Sequence, residues 1–324
     1  MLSFQECKNK IDDEITNFSF VNHRPIELYE PISYILSLGG KRIRPVLTLM
    51  SCQLFTESID EAINPALAVE IFHNFTLLHD DIMDKAPLRR NHPTVHRKWN
   101  DNIAILSGDT MNIIAYQYLC LTSNEIIPEL LNVFSKVAIE ICEGQQLDMN
   151  FESRTEVTIP EYLEMIRLKT AVLLATSLKI GAICGRATEN EKQKLYDFGF
   201  NLGLAFQIQD DLLDAFGKEE DFGKSIGGDI LACKKTFIYL KALELSSTNQ
   251  KKALESLYTN PNMDDKSKIE QVLNIFNDLK IEAMAAKTVS EYTETAMKAL
   301  ASLNVSKSKD ELEKLAYQIM SRKA

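Results

Sequence analysis

Apolar residues recur at helical spacing from one end of the chain to the other, as expected of elements that bury one face against a core. Pro45 suits the first turn of a helix whose body is VLTLMSCQLF. PALAVEIFHNFTLLHDDIMDK reads as another, stopping before Pro87, and NIAILSGDTMNIIAYQYLCL as a third, very apolar one. The spacing predicts further helices over about 128–150, 160–185, 190–216 and 231–246. Pro25, Pro31, Pro65, Pro93, Pro128, Pro160 and Pro261 mark further candidate boundaries. SSTNQKK and YTNPNMDDKSK read as surface loops with a short helix, KKALESLY, between them. The last sixty residues, rich in Ala, Lys and Glu, read as two amphipathic helices. There is no low-complexity linker and no fixed-period repeat, so residues 1–324 are expected to form a single all-α domain.

Composition agrees. With 12 glycines and 9 prolines in 324 residues, breakers are sparse, and nearly half of the chain is apolar. A net charge of −10 argues against a nucleic-acid partner, which needs a large basic surface. The six cysteines are scattered without a CxxC pair, as in a reduced, cytoplasmic protein. The first residues, MLSFQECKNKIDDEI, carry no apolar signal core, and no window reaches the length of a transmembrane segment.

One pattern repeats. DDIMD at 80–84 returns as DDLLD at 210–214. Residues four apart share a helix face, so Asp80 aligns with Asp84 and Asp210 with Asp214. Two carboxylates about 6 Å apart repel by roughly 3 kcal/mol at an effective dielectric near 20. A helix C-terminus disfavours negative charge as well. A solvated acidic helix end explains one such cluster; two, each ending an apolar helix, favour a hard divalent cation. Magnesium takes few protein carboxylates, keeps its waters and bridges to phosphate. Neither cluster has the spacing of a calcium hand.

Bases stand close by. Arg89 and Arg90 follow the first motif, and GGKRIRP at 39–45 sets Lys41, Arg42 and Arg44 before a helix start. Lys169, Lys224, Lys234 and Lys235 fall within or after later helices. Metal on one side and guanidinium forks on the other suit a diphosphate. His92 and His96 are four apart, but Pro93 argues against a helical metal pair there. No Ser-His or Cys-His arrangement suggests a protein nucleophile.

From about residue 35 to 240 the chain resembles the trans-prenyl diphosphate synthases, the family of farnesyl and geranylgeranyl diphosphate synthases. The resemblance rests on GGKRIRP, the first DDxxD with Arg89 and Arg90 five residues on, Lys169-Thr170, Gln207 three residues before DDLLD, and the Gly223-Lys224 pair. That ordered set is far more specific than either acidic motif alone. It implies an all-α, usually homodimeric fold of the isoprenoid synthase type, with helices around a central cavity that both motifs face.

The resemblance also implies three magnesium ions per site. Asp80, Asp84 and Asp210 would grip an allylic diphosphate through them, with Asp81, Asp211 and Asp214 assisting directly or through water. Arg89, Lys169, Lys224 and Lys234 would contact that diphosphate, and Lys41, Arg44, His73 and Arg90 that of isopentenyl diphosphate. Thr170 and Gln207 would sit near the breaking bond. The allylic partner would be dimethylallyl, geranyl or farnesyl diphosphate. One departure is Asn91, where the family commonly has Gly; Asn tolerates a left-handed backbone.

Upstream of Asp80, Phe72, Phe75 and Thr76 would form the floor that stops chain growth, although Phe72 also reads as a core aromatic. An aromatic five before the motif with a small neighbour four before it resembles the enzymes that make twenty-carbon geranylgeranyl diphosphate. Farnesyl diphosphate is the alternative product. A terpene cyclase and a non-catalytic regulatory subunit are the rival classes. The second DDxxD disfavours the former and the two intact motifs disfavour the latter.

Overall fold

Ser3 accepts a hydrogen bond from the Glu6 N–H while Glu6 reaches back to the Ser3 N–H, a capping box that starts α1 (Phe4–Thr16). The computed structural model describes residues 2–18, 23–217, 227–260, 263–305 and 309–320. After α1 come α2 (Ile26–Ser37), α3 (Ile43–Gln53) and α4 (Asp60–Met83). A two-stranded hairpin, β1 (Leu88–Arg89) and β2 (His92–Pro93), leads to α5 (Val95–Lys98), α6 (Asp101–Leu119) and α7 (Ile127–Ser153). Next are α8 (Ile159–Ile166), a π-helical turn (Arg167–Ala171), α9 (Val172–Cys184) and α10 (Glu189–Phe216). The rest is α11 (Gly228–Leu231), α12 (Phe237–Leu245), α13 (Thr248–Thr259), α14 (Asp265–Asp278), α15 (Ile281–Ala301) and α16 (Asp310–Met320). The chain is all-α, and among the described residues no helix is long and apolar enough to cross a membrane.

The chain divides into two compact units. Unit 1 is Met1–Val137, Leu174–Tyr196 and Leu303–Leu312. In its core α4 packs with α3 and α6, and Leu47, Met50, Phe72 and Phe134 are almost fully buried. Ser51 donates to the Leu178 carbonyl (2.6 Å) and Thr48 to that of Ser177 (3.0 Å), locking α3 to α9. Unit 2 is Ala138–Leu173, Asp197–Ser302 and Glu313–Ala324. Its core gathers Tyr162 and Ile166 of α8, Ile208 and Leu212 of α10, Phe237 of α12, Phe276 of α14 and Val289 of α15.

Several sequence expectations need correction. The helix read over 160–185 is interrupted at Arg167–Ala171. The one read over 231–246 starts only at Phe237, because Thr236 caps it. SSTNQKK is a helix start rather than a loop: Ser247 and Gln250 form a capping box. Among the described residues the tail holds three helices instead of two. Pro31 and Pro65 lie inside α2 and α4 rather than at boundaries. Both side chains are buried, and that packing outweighs one missing N–H bond.

Candidate active site

In unit 1 the site is built on one face of α4, where His73, Asp80 and Asp84 fall in line. Asp84 caps the helix C-terminus, its N–H bonded to the Asp80 carbonyl at 2.9 Å, and is exposed; Asp80 is half-buried. Asp81 is 3% exposed and pairs with Arg89 through both oxygens, Nε donating to Oδ2 at 2.8 Å and Nη2 standing 2.7 Å from Oδ1. Burial raises the Asp81 pKa even so, against the pull of Arg89. Arg89 also stands 3.7 Å from Asp80.

The hairpin that carries Arg89 turns through Arg90 and Asn91, both left-handed at φ 53° and 63°. Two positive φ angles mark the tight I′ connection, which Asn accepts in place of glycine. Arg90 donates to the Gly39 carbonyl. Gly40 has φ 143°, a conformation that calls for glycine, and the Arg90 guanidinium lies against it, 2.9 Å from where a Cβ would stand.

Two helical turns back from Asp80, Arg44 meets His73 across 3.2 Å. Burial lowers the pKa of Arg44 and of Arg90. Burial, then the charges of Arg44, Arg90, Arg89 and Arg42, holds His73 well below its ordinary value. The buried Arg44 Nε has no hydrogen-bond partner among the described residues. An anion is the group this cluster is short of. Arg42 has a different task. It is buried and left-handed, and binds Glu70 (2.6 Å), Asp12 (3.0 Å) and the Leu36 carbonyl (2.8 Å), fixing the start of α3. Lys41, its neighbour in the chain, is exposed.

In unit 2 the π-helical turn presents Lys169 and Thr170, at a kind of helix defect that often marks function. Two helices press on it through glycines. A Cβ on Gly144 of α7 would meet the Lys169 nitrogen at 2.4 Å, and one on Gly203 of α10 the Ala171 Cα at 2.6 Å. One turn beyond each glycine, a polar side chain takes hold of the turn. Asp148 accepts from Lys169 Nζ at 2.6 Å, and Gln207 Oε1 accepts from Thr170 Oγ1 at 3.0 Å.

Gln207 Nε2 in turn lies 3.4 Å from Asp211 Oδ1. Asp211, 5% exposed, also accepts from the Tyr162 hydroxyl and from the Phe237 N–H (3.1 Å). Burial, with Asp229 nearby, pushes its pKa up to about 8. Asp214 accepts the Asp229 N–H at 2.9 Å and so holds the start of α11. Asp210 is half-buried and Lys234 exposed; Lys224 lies outside the described residues.

Among the described residues no group of three or more His, Cys, Asp or Glu closes on a metal. Paired, partly exposed carboxylates without a closed cage fit magnesium, which fills its sphere with water and phosphate oxygens. His92 is exposed on the hairpin and His96 buried on α5, outside any such group.

Tyr162, Asp148 and Asp229 escaped the sequence reading. Gly144 and Gly203, each inside a helix and four residues before Asp148 and Gln207, were the available signal.

Comparison with known proteins supplies the rest. The polyprenyl synthetase family model matches residues 25–276. The short chain isoprenyl diphosphate synthase of Methanocaldococcus jannaschii is 40% identical over 276 residues, covering 85% of this chain and 83% of that one. The geranylgeranyl diphosphate synthase of Saccharolobus solfataricus is 38% identical over 95% of this chain and 98% of that one. A crystal structure of a geranylgeranyl pyrophosphate synthase superposes with a TM-score of 0.93 at 42% identity, covering 100% of both chains.

Proposed function

We propose, for a chain that belongs to the polyprenyl synthetase family and is a chain-elongating prenyltransferase, that it joins isopentenyl diphosphate to allylic diphosphates and releases geranylgeranyl diphosphate. The observation that carries this reading is that one face of α4, with Arg44 of α3 and Arg90 of the hairpin beside it, offers two different ways of holding a diphosphate. Asp80 and Asp84 suit one held through cations, while Arg44, Arg90 and neutral His73 suit one held directly. A reaction between two diphosphates needs both.

In this proposal Asp80, Asp84 and Asp210 hold magnesium, which when bound neutralises charge on the allylic diphosphate. Asp81 supports that end by keeping Arg89 in place, and Asp211 and Asp214 brace their own surroundings. Arg89, Lys169, Lys224 and Lys234 stabilise the charge that grows on the diphosphate as its carbon–oxygen bond breaks. Lys41, Arg44, His73 and Arg90 hold isopentenyl diphosphate so that its double bond meets the allylic carbon. The oxygens of Thr170 and Gln207 face the cation. The proton lost on coupling leaves with the released diphosphate, so no protein base is needed.

Phe75 is the proposed floor for the growing chain, with Thr76 the small residue beside it. Phe75 is half-buried, edge-on to His79 at 4.7 Å, and rests on Phe72 at 5.4 Å. Phe72 is 1% exposed and packs on Phe134, so it supports the floor from within the core. The proposal extends to a cytoplasmic homodimer. Ile105, Leu106 and Ile113 of α6 are 42%, 58% and 61% exposed, an apolar surface that a second copy would cover.

The test is chromatography of products made from labelled isopentenyl diphosphate with each allylic primer. Twenty-carbon diphosphate is expected, and Phe75→Ala should lengthen it by at least one isoprene unit. Hydrocarbon released from farnesyl diphosphate alone would reject the reading in favour of a cyclase.

A further inference from the structure

The short helix α11 closes in a Schellman motif. The Cys233 N–H bonds the Ile230 carbonyl at 3.2 Å, and the Lys234 N–H bonds the Asp229 carbonyl at 2.9 Å. The residue at the turn of such a motif is left-handed and usually glycine. Here it is Cys233, at φ 56°. A side chain there is strained, so the thiol stands against the local backbone preference.

The thiol has an amine for a neighbour. Cys233 Sγ donates to the Tyr258 carbonyl of α13 at 2.8 Å and lies 3.6 Å from that of Leu231. Lys268 of α14 reaches the same sulfur, its Nζ standing 3.2 Å away. Lys268 is only 6% exposed. A lysine so deeply buried is ordinarily paired with a carboxylate. Among the described residues the Lys268 side chain forms no ion pair; it meets the sulfur and, 5.9 Å from the ring centre, Tyr258. Cys233 itself is half-buried between exposed Ala232 and Lys234, so a small oxidant can reach it.

We propose that Cys233 and Lys268 form a reversible, peroxide-driven sulfur–nitrogen crosslink that shifts Lys234. Hydrogen peroxide converts the thiol to a sulfenic acid and water; the sulfur loses two electrons and the peroxide gains them. The Lys268 amine, its ammonium proton released to solvent, then attacks that sulfur. An S–N bond forms, the S–O bond breaks, and hydroxide leaves as water with a proton from the amine. Two equivalents of a thiol reductant reverse the step, returning thiol and amine and leaving as a disulfide. The new bond draws the sulfur from the Tyr258 carbonyl toward α14. Lys235 is fixed by its hydrogen bond to the Phe151 carbonyl at 2.7 Å, so the displacement falls on Lys234 between them. That consequence rests on the prenyl-transfer reading above, in which Lys234 contacts the allylic diphosphate; the crosslink itself does not.

The experiment treats the full chain with hydrogen peroxide, digests it without reduction and maps it by mass spectrometry, with prenyl transfer measured on the same samples. The expected product is a peptide pair joining Cys233 to Lys268, about 2 Da lighter than its two parts and lost on adding dithiothreitol. With the crosslink, kcat/KM for the allylic diphosphate should fall about fivefold, and it should recover on reduction. Cys233→Gly suits the left-handed turn and should melt higher than wild type. Lys268→Met keeps the apolar stem and removes the amine. Both variants should keep untreated activity within about twofold of wild type and hold it under peroxide. The exposed Cys120 and Cys142 remain in each variant and show that the oxidant has acted. The proposal is overturned if no Cys233–Lys268 peptide pair forms, if peroxide slows Cys233→Gly as much as wild type, or if the crosslinked chain turns over at the untreated rate. Failure of the prenyl-transfer reading is recognised separately, by an untreated chain that makes no prenyl diphosphate from isopentenyl diphosphate and a primer; the mass of the peptide pair still decides the crosslink.

Discussion

DDIMD and DDLLD share three aspartates and one spacing, yet the protein surrounds them differently. At the first motif the middle acid is held by a charge, the guanidinium of Arg89. At the second it is held by neutral donors, Tyr162, Phe237 and Gln207. The first motif ends its helix, Asp84 being the cap, while α10 runs on past Asp214 to Phe216. The first lies beside a group of guanidiniums, and the second is tied to the π-helical turn that carries Lys169 and Thr170. A repeated motif thus fixes which two carboxylates align. What the third one does depends on its neighbours.

The outer acids should give the largest effects and the most similar ones. Asp80→Ala and Asp210→Ala should each lower prenyl transfer by about a thousandfold. Stability should hold or rise by about 0.3–0.5 kcal/mol, because each change removes a like-charge pair one turn apart. Product formation and thermal melting on the same samples check both halves. Loss of fold in either variant would mean that its acid serves structure, and would end the parallel between the motifs.

The middle acids should separate. Asp81→Asn weakens the hold on Arg89 and should cost about 2 kcal/mol. Asp211→Asn should cost less, and its cost should depend on pH. The native carboxyl has a pKa of about 8 against an ordinary 3.8. Between those values the folded chain keeps a proton that the unfolded chain has released, so wild-type stability falls as pH rises across that window. Asp211→Asn lacks this slope, and should gain on wild type as pH rises from about 4 toward 8. Urea unfolding in metal-free buffer at the two ends of the window is the measurement. An unchanging difference would show that Asp211 ionises normally.

How much of this was legible in the sequence depends on whether the cause was local. The end of α4 was legible, since an apolar helical stripe runs into acid before Pro87. So was the shared helix face of Gln207 and Asp210. The left-handed turn at Asn91 followed from its residue type. The π-helical turn was not legible, because nothing in the residue types of Arg167–Ala171 forbids an ordinary helix. It is clasped by Gly144 and Gly203, which reach it only once α7 and α10 have packed. Tyr162 and Asp211 stand 49 residues apart in the chain, so only the fold could pair them.

The smallest expected effect tests the difference in how the two helices end. Lys85 follows DDIMD, is exposed, and is left-handed at φ 52° one residue beyond the Asp84 cap. That is the position where helices commonly place glycine, and a side chain there costs about 1–2 kcal/mol. Part of the gain from relieving that strain in Lys85→Gly is offset by extra freedom of the unfolded chain, so the net gain should be about 1 kcal/mol. The residue in the same place after DDLLD is Ala215, which is buried and still helical. Glycine there adds unfolded-chain freedom with no strain to relieve, and Ala215→Gly should lose about 1 kcal/mol. The two glycine variants, melted side by side, should therefore move in opposite directions. Movement in the same direction would mean that the motifs end alike, and that the contrast between a capped helix and a continuing one does not govern their stability.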